Sequence, residues 1–327
     1  MSPAPGRIAL AVALVAVALL AWWPRTLPGL ARPRGPEPSD GWFSIDPDGL
    51  YHTRRVARAL DESLPAAGRD PYLAHGEPGL DHPDGAAIPW PPYYDSALAL
   101  MLAPFAPDDV EARPPWLERA VSTLPAAFGI LAALLAAGAA WWLVRGTGEA
   151  WHRAGVAAFA GVYAATGWGA INDSLIGTGD HHAWVGFLLA LSLLALSLAF
   201  GKALRSAVRG AAWGAACGAV AALMLGSWVA SLEYVALTQL ALGWLLVRRA
   251  REELPGVTTL GLAYHLVALA LLAPAVLASP WRHELPWMVV NLSWFHLAWL
   301  AAGALVFLPT ALLGRGLLRS GRPAALA

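Results

Sequence analysis

Residues 177–200 read GTGDHHAWVGFLLALSLLALSLAF. From Ala183 to Phe200 there is no charged side chain, and a helix of that length crosses about 30 Å of hydrocarbon. An acid and two histidines, Asp180, His181 and His182, stand directly before it. Seven more apolar stretches of comparable length follow the same pattern, near 8–23, 120–144, 155–171, 211–231, 234–248, 259–279 and 288–313. Those at 155–171 and 234–248 are short. The first has a rival reading as a cleaved signal peptide, because Arg7 precedes a short apolar run. Trp22-Trp23-Pro24 offers no small-residue cleavage site, so a retained anchor over residues 1–30 is expected. The fold class expected is all-α: a polytopic membrane bundle of about eight spans with a large first outer loop. Its parts are the anchor 1–30, the loop 31–118, the bundle 119–314 and a cytoplasmic tail 315–327.

Composition agrees. Of 327 residues, 57% are hydrophobic and only 13% charged, against about 25% charged in soluble domains. This excludes a disordered chain, a nucleic-acid binder and an ordinary cytosolic enzyme. Net charge is zero, so there is no basic face for a phosphate backbone and no nucleic-acid partner is expected. The single cysteine, Cys217, excludes a disulfide scaffold and a cysteine zinc site. Seventeen tryptophans suit aromatic belts at membrane interfaces.

Charge is concentrated. Between Ala31 and Arg119 lie 15 of the 22 acids, against eight Arg. The loops at Arg145 and Arg153, at Lys202, Arg205 and Arg209, and at Arg248, Arg249 and Arg251 are basic, as is the tail with Arg315, Arg319 and Arg322. By the positive-inside rule these are cytoplasmic. Both termini are then cytoplasmic, and the acidic segment lies on the periplasmic or extracellular face of an inner or cytoplasmic membrane. Within it, Leu50 to Leu60 has helical spacing with Tyr51, Val56 and Leu60 as apolar contacts. Pro65, Pro71, Pro78 and Pro83 mark turns, and Ser96 to Phe105 reads as a short apolar helix.

Three polar groups fall on that outer side: Asp46 to Arg55, Gly179 to His182, and Arg282-His283-Glu284. If the bundle closes, they converge on one pocket. The carboxylates of Asp48 and Asp180 with the imidazole of His182 suit a divalent cation, Mn²⁺ or Mg²⁺. A cation also relieves the repulsion of acids gathered at a membrane rim and holds a phosphate. Arg54, Arg55 and Arg282 suit phosphate oxygens. His181, Tyr51 and Asp95 are supporting candidates. Plainer readings stand beside these. Asp48-Gly49 also suits a turn or helix cap, Asp180 a cap of the following helix, and Glu233 and Glu284 solvated charges. Adjacent histidines at the end of a span have no obvious packing purpose. His265 and His296 lie inside spans, where an interhelical hydrogen bond is expected.

The run Asp46-Pro47-Asp48-Gly49-Leu50-Tyr51-His52-Thr53-Arg54-Arg55 resembles the first acidic motif of the oligosaccharyltransferase catalytic-subunit family. Asp70-Pro71-Tyr72-Leu73, His82-Pro83-Asp84-Gly85-Ala86 and Pro89-Trp90-Pro91-Pro92-Tyr93-Tyr94-Asp95 are similar, in order and spacing, to that family's first loop. Leu124-Pro125-Ala126-Ala127-Phe128-Gly129 resembles a run in its second span, and Gly177-Thr178-Gly179-Asp180-His181-His182 the Asp-His-His motif of its archaeal members. Ser227-Trp228 with Ser231-Leu232 is similar to a later span. The resemblance covers residues 40–235 well and 280–300 loosely.

The resemblance implies a GT-C fold and inverting transfer of a glycan from a polyprenyl phosphate or pyrophosphate to a protein or glycan acceptor. It implies that Asp48 serves both metal and acceptor, that Asp180 and His182 are metal ligands, and that Asp46 is the second acid of the first motif. Glu284 corresponds to a later loop Glu that orients an acceptor amide. The family has about thirteen spans and a C-terminal soluble domain with a Trp-Trp-Asp-Tyr-Gly motif. Here Trp22-Trp23 and Trp141-Trp142 lie in spans and neither is followed by Asp-Tyr-Gly. The chain ends at Ala327, so the donor half is expected and the sequon-reading half is not. A rival class is a catalytically inactive or split relative that binds the lipid carrier or assembles with a partner subunit. A transporter is disfavoured, since the polar clusters sit at one face and only His265 and His296 are ionisable within spans.

Overall fold

The computed structural model describes residues 5–26, 32–33, 42–43, 46–61, 90–109, 111–200, 202–248 and 252–319. The turns expected at Pro65, Pro71, Pro78 and Pro83, and the motifs at Asp70 and His82, lie outside the described residues. Apart from a two-residue antiparallel pairing, β1 (Arg32–Pro33) with β2 (Trp42–Phe43), the described chain is helical. Each of the eight apolar stretches forms a helix: α1 (Pro5–Thr26), α4 (Arg113–Leu143), α5 (Ala150–Thr166), α7 (His182–Ala199), α8 (Ala207–Ser227), α9 (Leu232–Arg248), α10 (Leu254–Ala278) and α12 (Trp294–Arg319). Seven are long and apolar enough to cross a membrane. The exception is α5, at 17 residues. Extended backbone at Gly167 ends it, and the rest of its apolar stretch becomes α6 (Trp168–Asn172). Several boundaries differ from expectation by five to seven residues, α5 and α10 among them, which start at Ala150 and Leu254. α4 starts earlier, at Arg113, where Pro114 and Pro115 occupy first-turn positions that need no hydrogen bond to the preceding chain. α12 starts later, at Trp294. Two helices lie in the acidic segment, α2 (Pro47–Asp61) and α3 (Tyr93–Leu102), both close to the stretches expected.

The described residues fall into two compact units, 5–61 with 92–194, and 90–91 with 195–319. In the first, α1, α4 and α5 share a core of fully buried Val17, Ala21, Ala133 and Ala165. Gly161 lets α5 approach closely: a β-carbon there would stand 2.7 Å from Val17 and 3.0 Å from Ala137. Arg25, near the end of α1, is buried. Its guanidinium donates to Ser174 Oγ at 2.7 Å and to the carbonyls of Ala21 and Ala165 at 2.8 Å and Ala170 at 3.2 Å. Ala165 lies in the last turn of α5, so the cation answers carbonyls that the helix end leaves without partners.

In the second unit α8 packs on α10 backbone to backbone. Gly210, Gly214 and Gly218 recur at intervals of one turn, and a β-carbon on each would overlap the carbonyl of Gly256, Leu260 and Tyr264 respectively. This is the small-residue stripe that lets membrane helices approach without a hydrophobic driving force. His265 of α10 ties three helices together. Its Nδ1 meets the Gly261 carbonyl at 2.7 Å and its Nε2 meets Gln239 Nε2 of α9 at 3.0 Å. Trp299 Nε1 of α12 donates to Gln239 Oε1 at 2.6 Å. This is the interhelical bonding expected of it. His296 differs: its Nδ1 accepts from Ser293 N at 3.3 Å, because α12 begins two residues before it and places it in the first turn.

Candidate active site

Three segments of the first unit bring ionisable groups together. The first is the start of α2. Pro47 opens the helix, where a missing N–H costs nothing. Asp46 Oδ1 accepts from Asp48 N at 3.0 Å, so Asp46 caps α2. Residues three and four apart on a helix share a face, and Tyr51, His52, Arg55 and Val56 form a buried one. Asp48 is half-buried one turn before His52, and Arg54 is exposed.

The second is the N-terminus of α3. Pro91 and Pro92 are buried ahead of it, and Tyr94 and Asp95 are buried in its first turn. The third is the loop from Gly177 into α7. Gly177 and Gly179 have φ of 110° and 65°, the left-handed region that glycine enters without strain. A β-carbon at Gly179 would stand 3.0 Å from the Gly49 backbone, so the two glycines let this loop lie against the start of α2. Gly177 N donates to Ser122 O of α4 at 2.8 Å, and Ile176 N to Arg25 O at 3.1 Å. Tyr94 Oη donates to Gly179 O at 3.0 Å.

Asp180 is the hub. Its Oδ1 lies 2.5 Å from His181 Nδ1 and 3.5 Å from His52 Nε2, and its Oδ2 lies 3.3 Å from His182 Nε2. His181 N donates to the same Oδ1 at 2.6 Å. His52 Nδ1 meets Asp95 Oδ1 at 2.7 Å, and Arg55 Nη1 meets Asp95 Oδ2 at 2.8 Å. Tyr94 stands edge-on to the His52 ring, with centroids 4.8 Å apart.

The electrostatics follow from this packing. Burial opposes charge on His52, but the Asp95 carboxylate and the bonds to Asp180 and Asp95 outweigh it and raise its pKa to about 9. Burial likewise opposes ionisation of Asp180, yet the hydrogen bonds of His181 and His52 hold it well below the carboxylate range. Asp95 is lowered too, its burial outweighed by Arg55 and His52. Burial lowers His181, raises Tyr94 and, with the charges of Asp180 and Asp48 nearby, raises Asp46.

The donors can be tested against a cation. Among the described residues, ligand atoms of His52, Asp180 and His181 lie within 4.8 Å of one another, and His182 adds an imidazole on the other oxygen of Asp180. Carboxylate with imidazole is a donor set for a divalent ion, so these residues fit one. Of the set expected from sequence, Asp180 and His182 are in contact. Asp48 is not in the group whose ligand atoms lie within 4.8 Å of one another; it lies on the same turn as Asp46, the acid that feels the charges of Asp180 and His182. The supporting candidates Asp95 and His181 are in the cluster, and Tyr51 is beside it, its ring 5.4 Å from His52. Arg55 is turned onto Asp95. Arg282 and Glu284 belong to the second unit, on the one-turn α11 (Trp281–Glu284), where Arg282 Nε donates to His283 Nε2 at 2.8 Å. Sequence reading missed His52. The available signal was its four-residue spacing from Asp48 on a helix.

No family model matches the chain, and no curated protein matches it. Solved structures do. The Archaeoglobus fulgidus oligosaccharyltransferase, tethered to an acceptor peptide containing the NVT sequon, matches with a TM-score of 0.67 at 18% identity, over 95% of this chain and 34% of that one. Its complex with an inhibitory peptide and a dolichol-phosphate gives 0.66 at 18%, over 96% and 35%. Its complex with Zn and sulfate gives 0.69 at 19%, over 94% and 36%. Spanning about a third of the length of those proteins, the chain has over that length the fold of an archaeal oligosaccharyltransferase.

Proposed function

We propose that this chain is a metal-dependent, inverting membrane glycosyltransferase. It moves a sugar or oligosaccharide from a polyprenyl phosphate or pyrophosphate to a protein or glycan acceptor on the periplasmic or extracellular face. The observation that carries the reading is the Asp180 cluster: a buried carboxylate in contact with three histidines from segments remote in sequence, with the half-buried Asp46 in its field. A merely structural contact does not require that much charge. The shared fold supports the reading, since the Archaeoglobus protein is solved with a dolichol-phosphate, with peptides, and with Zn and sulfate.

Asp180, His182 and Asp48 are the residues that would hold Mn²⁺ or Mg²⁺. When bound, such an ion neutralises the departing phosphate. Transfer at an anomeric carbon depends more on the leaving group than on a strong nucleophile, so these ligands matter most. Asp48 and Asp46 are the acids placed to take a proton from the acceptor or to orient it. Burial and the charges of Asp180 and Asp48 raise the carboxyl of Asp46, which suits it to proton exchange. Arg54 is assigned to phosphate oxygens. Arg55 already faces a carboxylate.

The test is transfer from a labelled polyprenyl-linked sugar in membranes. Asp48→Ala, Asp180→Ala and His182→Ala should each abolish most of it, and near-normal turnover in all three would sink the reading. Wild-type chain that binds polyprenyl phosphate but transfers nothing would instead be an inactive or split relative, acting in carrier binding or with a partner subunit.

A further inference from the structure

The Asp180 carboxylate faces two different surroundings. Oδ2 meets His182, whose side chain is 37% exposed. Oδ1 meets only buried groups: His181 Nδ1, His181 N and His52 Nε2. Behind them the contacts continue inward, from His52 Nδ1 to Asp95 at 2.7 Å and from Asp95 to Arg55 at 2.8 Å. The side chains of His52, Asp95 and Arg55 are only 1%, 5% and 6% exposed.

A carboxylate turns readily about its last bond, and a cation ligand must not. Such ligands are held by outer partners that fix which lone pair faces the ion. We propose that Arg55, Asp95 and His52 form a positioning chain for the ion site. Asp95 holds the His52 ring, His52 together with His181 fixes the inner oxygen of Asp180, and the outer oxygen is left toward His182 for the cation. Two more contacts restrict the imidazole. Tyr94 stands edge-on to it at 90°, and Tyr94 is itself tied to the Gly179 carbonyl, one residue from Asp180. A purely stabilising role explains less. Burying charges costs desolvation that their attraction seldom repays, and an apolar contact would join α2 to α3 more cheaply.

The inference rests on the metal-dependent reading above and adds the residues that set the geometry of Asp180. Its test is binding of Mn²⁺ to the purified full chain in detergent, with free Mn²⁺ and nitrogen couplings read by electron paramagnetic resonance. Asp95→Asn and His52→Leu should each weaken Mn²⁺ about tenfold or more, the usual cost of losing an outer partner. The double variant should be no worse than His52→Leu, because both act through one oxygen. His52→Gln, which restores an N–H toward Asp180, should bind within about threefold of wild type. The nitrogen coupling should survive throughout, since His182 remains. Unchanged Mn²⁺ affinity in Asp95→Asn with a lowered melting temperature would show a mere tether and overturn the proposal. Additive losses would overturn it, and so would a nitrogen coupling lost in His52→Gln, which would make His52 itself a ligand. If His52→Leu does not fold, Asp95→Asn and His52→Gln decide. A wild-type chain that binds no Mn²⁺ at millimolar concentration removes the metal assignment itself, an outcome distinct from a failure confined to the variants.

Discussion

His52 and His265 are both buried imidazoles with a polar partner at each ring nitrogen, yet they serve opposite ends. His265 is bracketed by a backbone carbonyl and an amide, and its chain ends on a tryptophan N–H. Each donor there meets one acceptor and no member is charged. His52 sits between two carboxylates, in a chain that starts at a guanidinium and ends at a half-exposed imidazole. Burial of a polar group in a helical bundle therefore does not by itself mark chemistry. Formal charge gathered in excess of what packing needs, with one end open, is the better sign.

The comparison breaks most sharply on activity. Asp180→Ala should lower glycosyl transfer about 10³-fold, the several kcal/mol that leaving-group stabilisation supplies. His265→Leu should leave the rate per folded molecule within about threefold. Equal losses in the two would erase the distinction. Chelation followed by Mn²⁺ should remove and then restore wild-type transfer, with no effect on the melting temperature of Asp180→Ala.

The next effect is on stability and lies in the second unit. Gly214→Leu would drive a side chain into the Leu260 carbonyl and should cost about 3 kcal/mol, the upper range of overpacking. Gly243→Ala, with nothing within 4 Å of its β-carbon, should instead gain up to about 1 kcal/mol from helix propensity. Reversible unfolding in mixed micelles measures both. The smallest effect belongs to the neutral network. Gln239→Leu should cost about 0.6 kcal/mol, as membrane hydrogen bonds average, and leave Mn²⁺ binding unchanged. A tenfold loss of Mn²⁺ there would show that the two networks are not separate in function.

Much of this was legible in the sequence, for a physical reason. A membrane demands long uncharged runs, so the helices announce themselves, and residues 182–199 match the stretch expected within one position. What escaped depends on three dimensions. The break at Gly167 falls among Trp, Gly and Ala, which read as continuous apolar chain. The stripe at Gly210, Gly214 and Gly218 looks like any small-residue run until its carbonyl partners on α10 are known. His52 stood in plain view within the first acidic motif, but its partners Asp95 and His181, the latter 3.3 Å from its Nε2, are 43 and 129 residues away. Asp46 shows the converse: it takes the capping role that the plainer reading gave to Asp48, and the same side chain also lies in the field of Asp180.

Arg25 carries a consequence for how the protein is assembled. Its partners Ala165, Ala170 and Ser174 are made about 140 residues after it. Among its hydrogen-bond partners, the Ala21 carbonyl of its own helix is the one that precedes it in the chain. The last turn of α1 therefore has most of its polar partners only where α5 and α6 are in place. Its backbone is used as well: Arg25 O accepts from Ile176 N, so the end of α1 also holds the loop that leads to Asp180. A residue outside the cluster thus steadies, through one side chain and one carbonyl, the loop that supplies its hub.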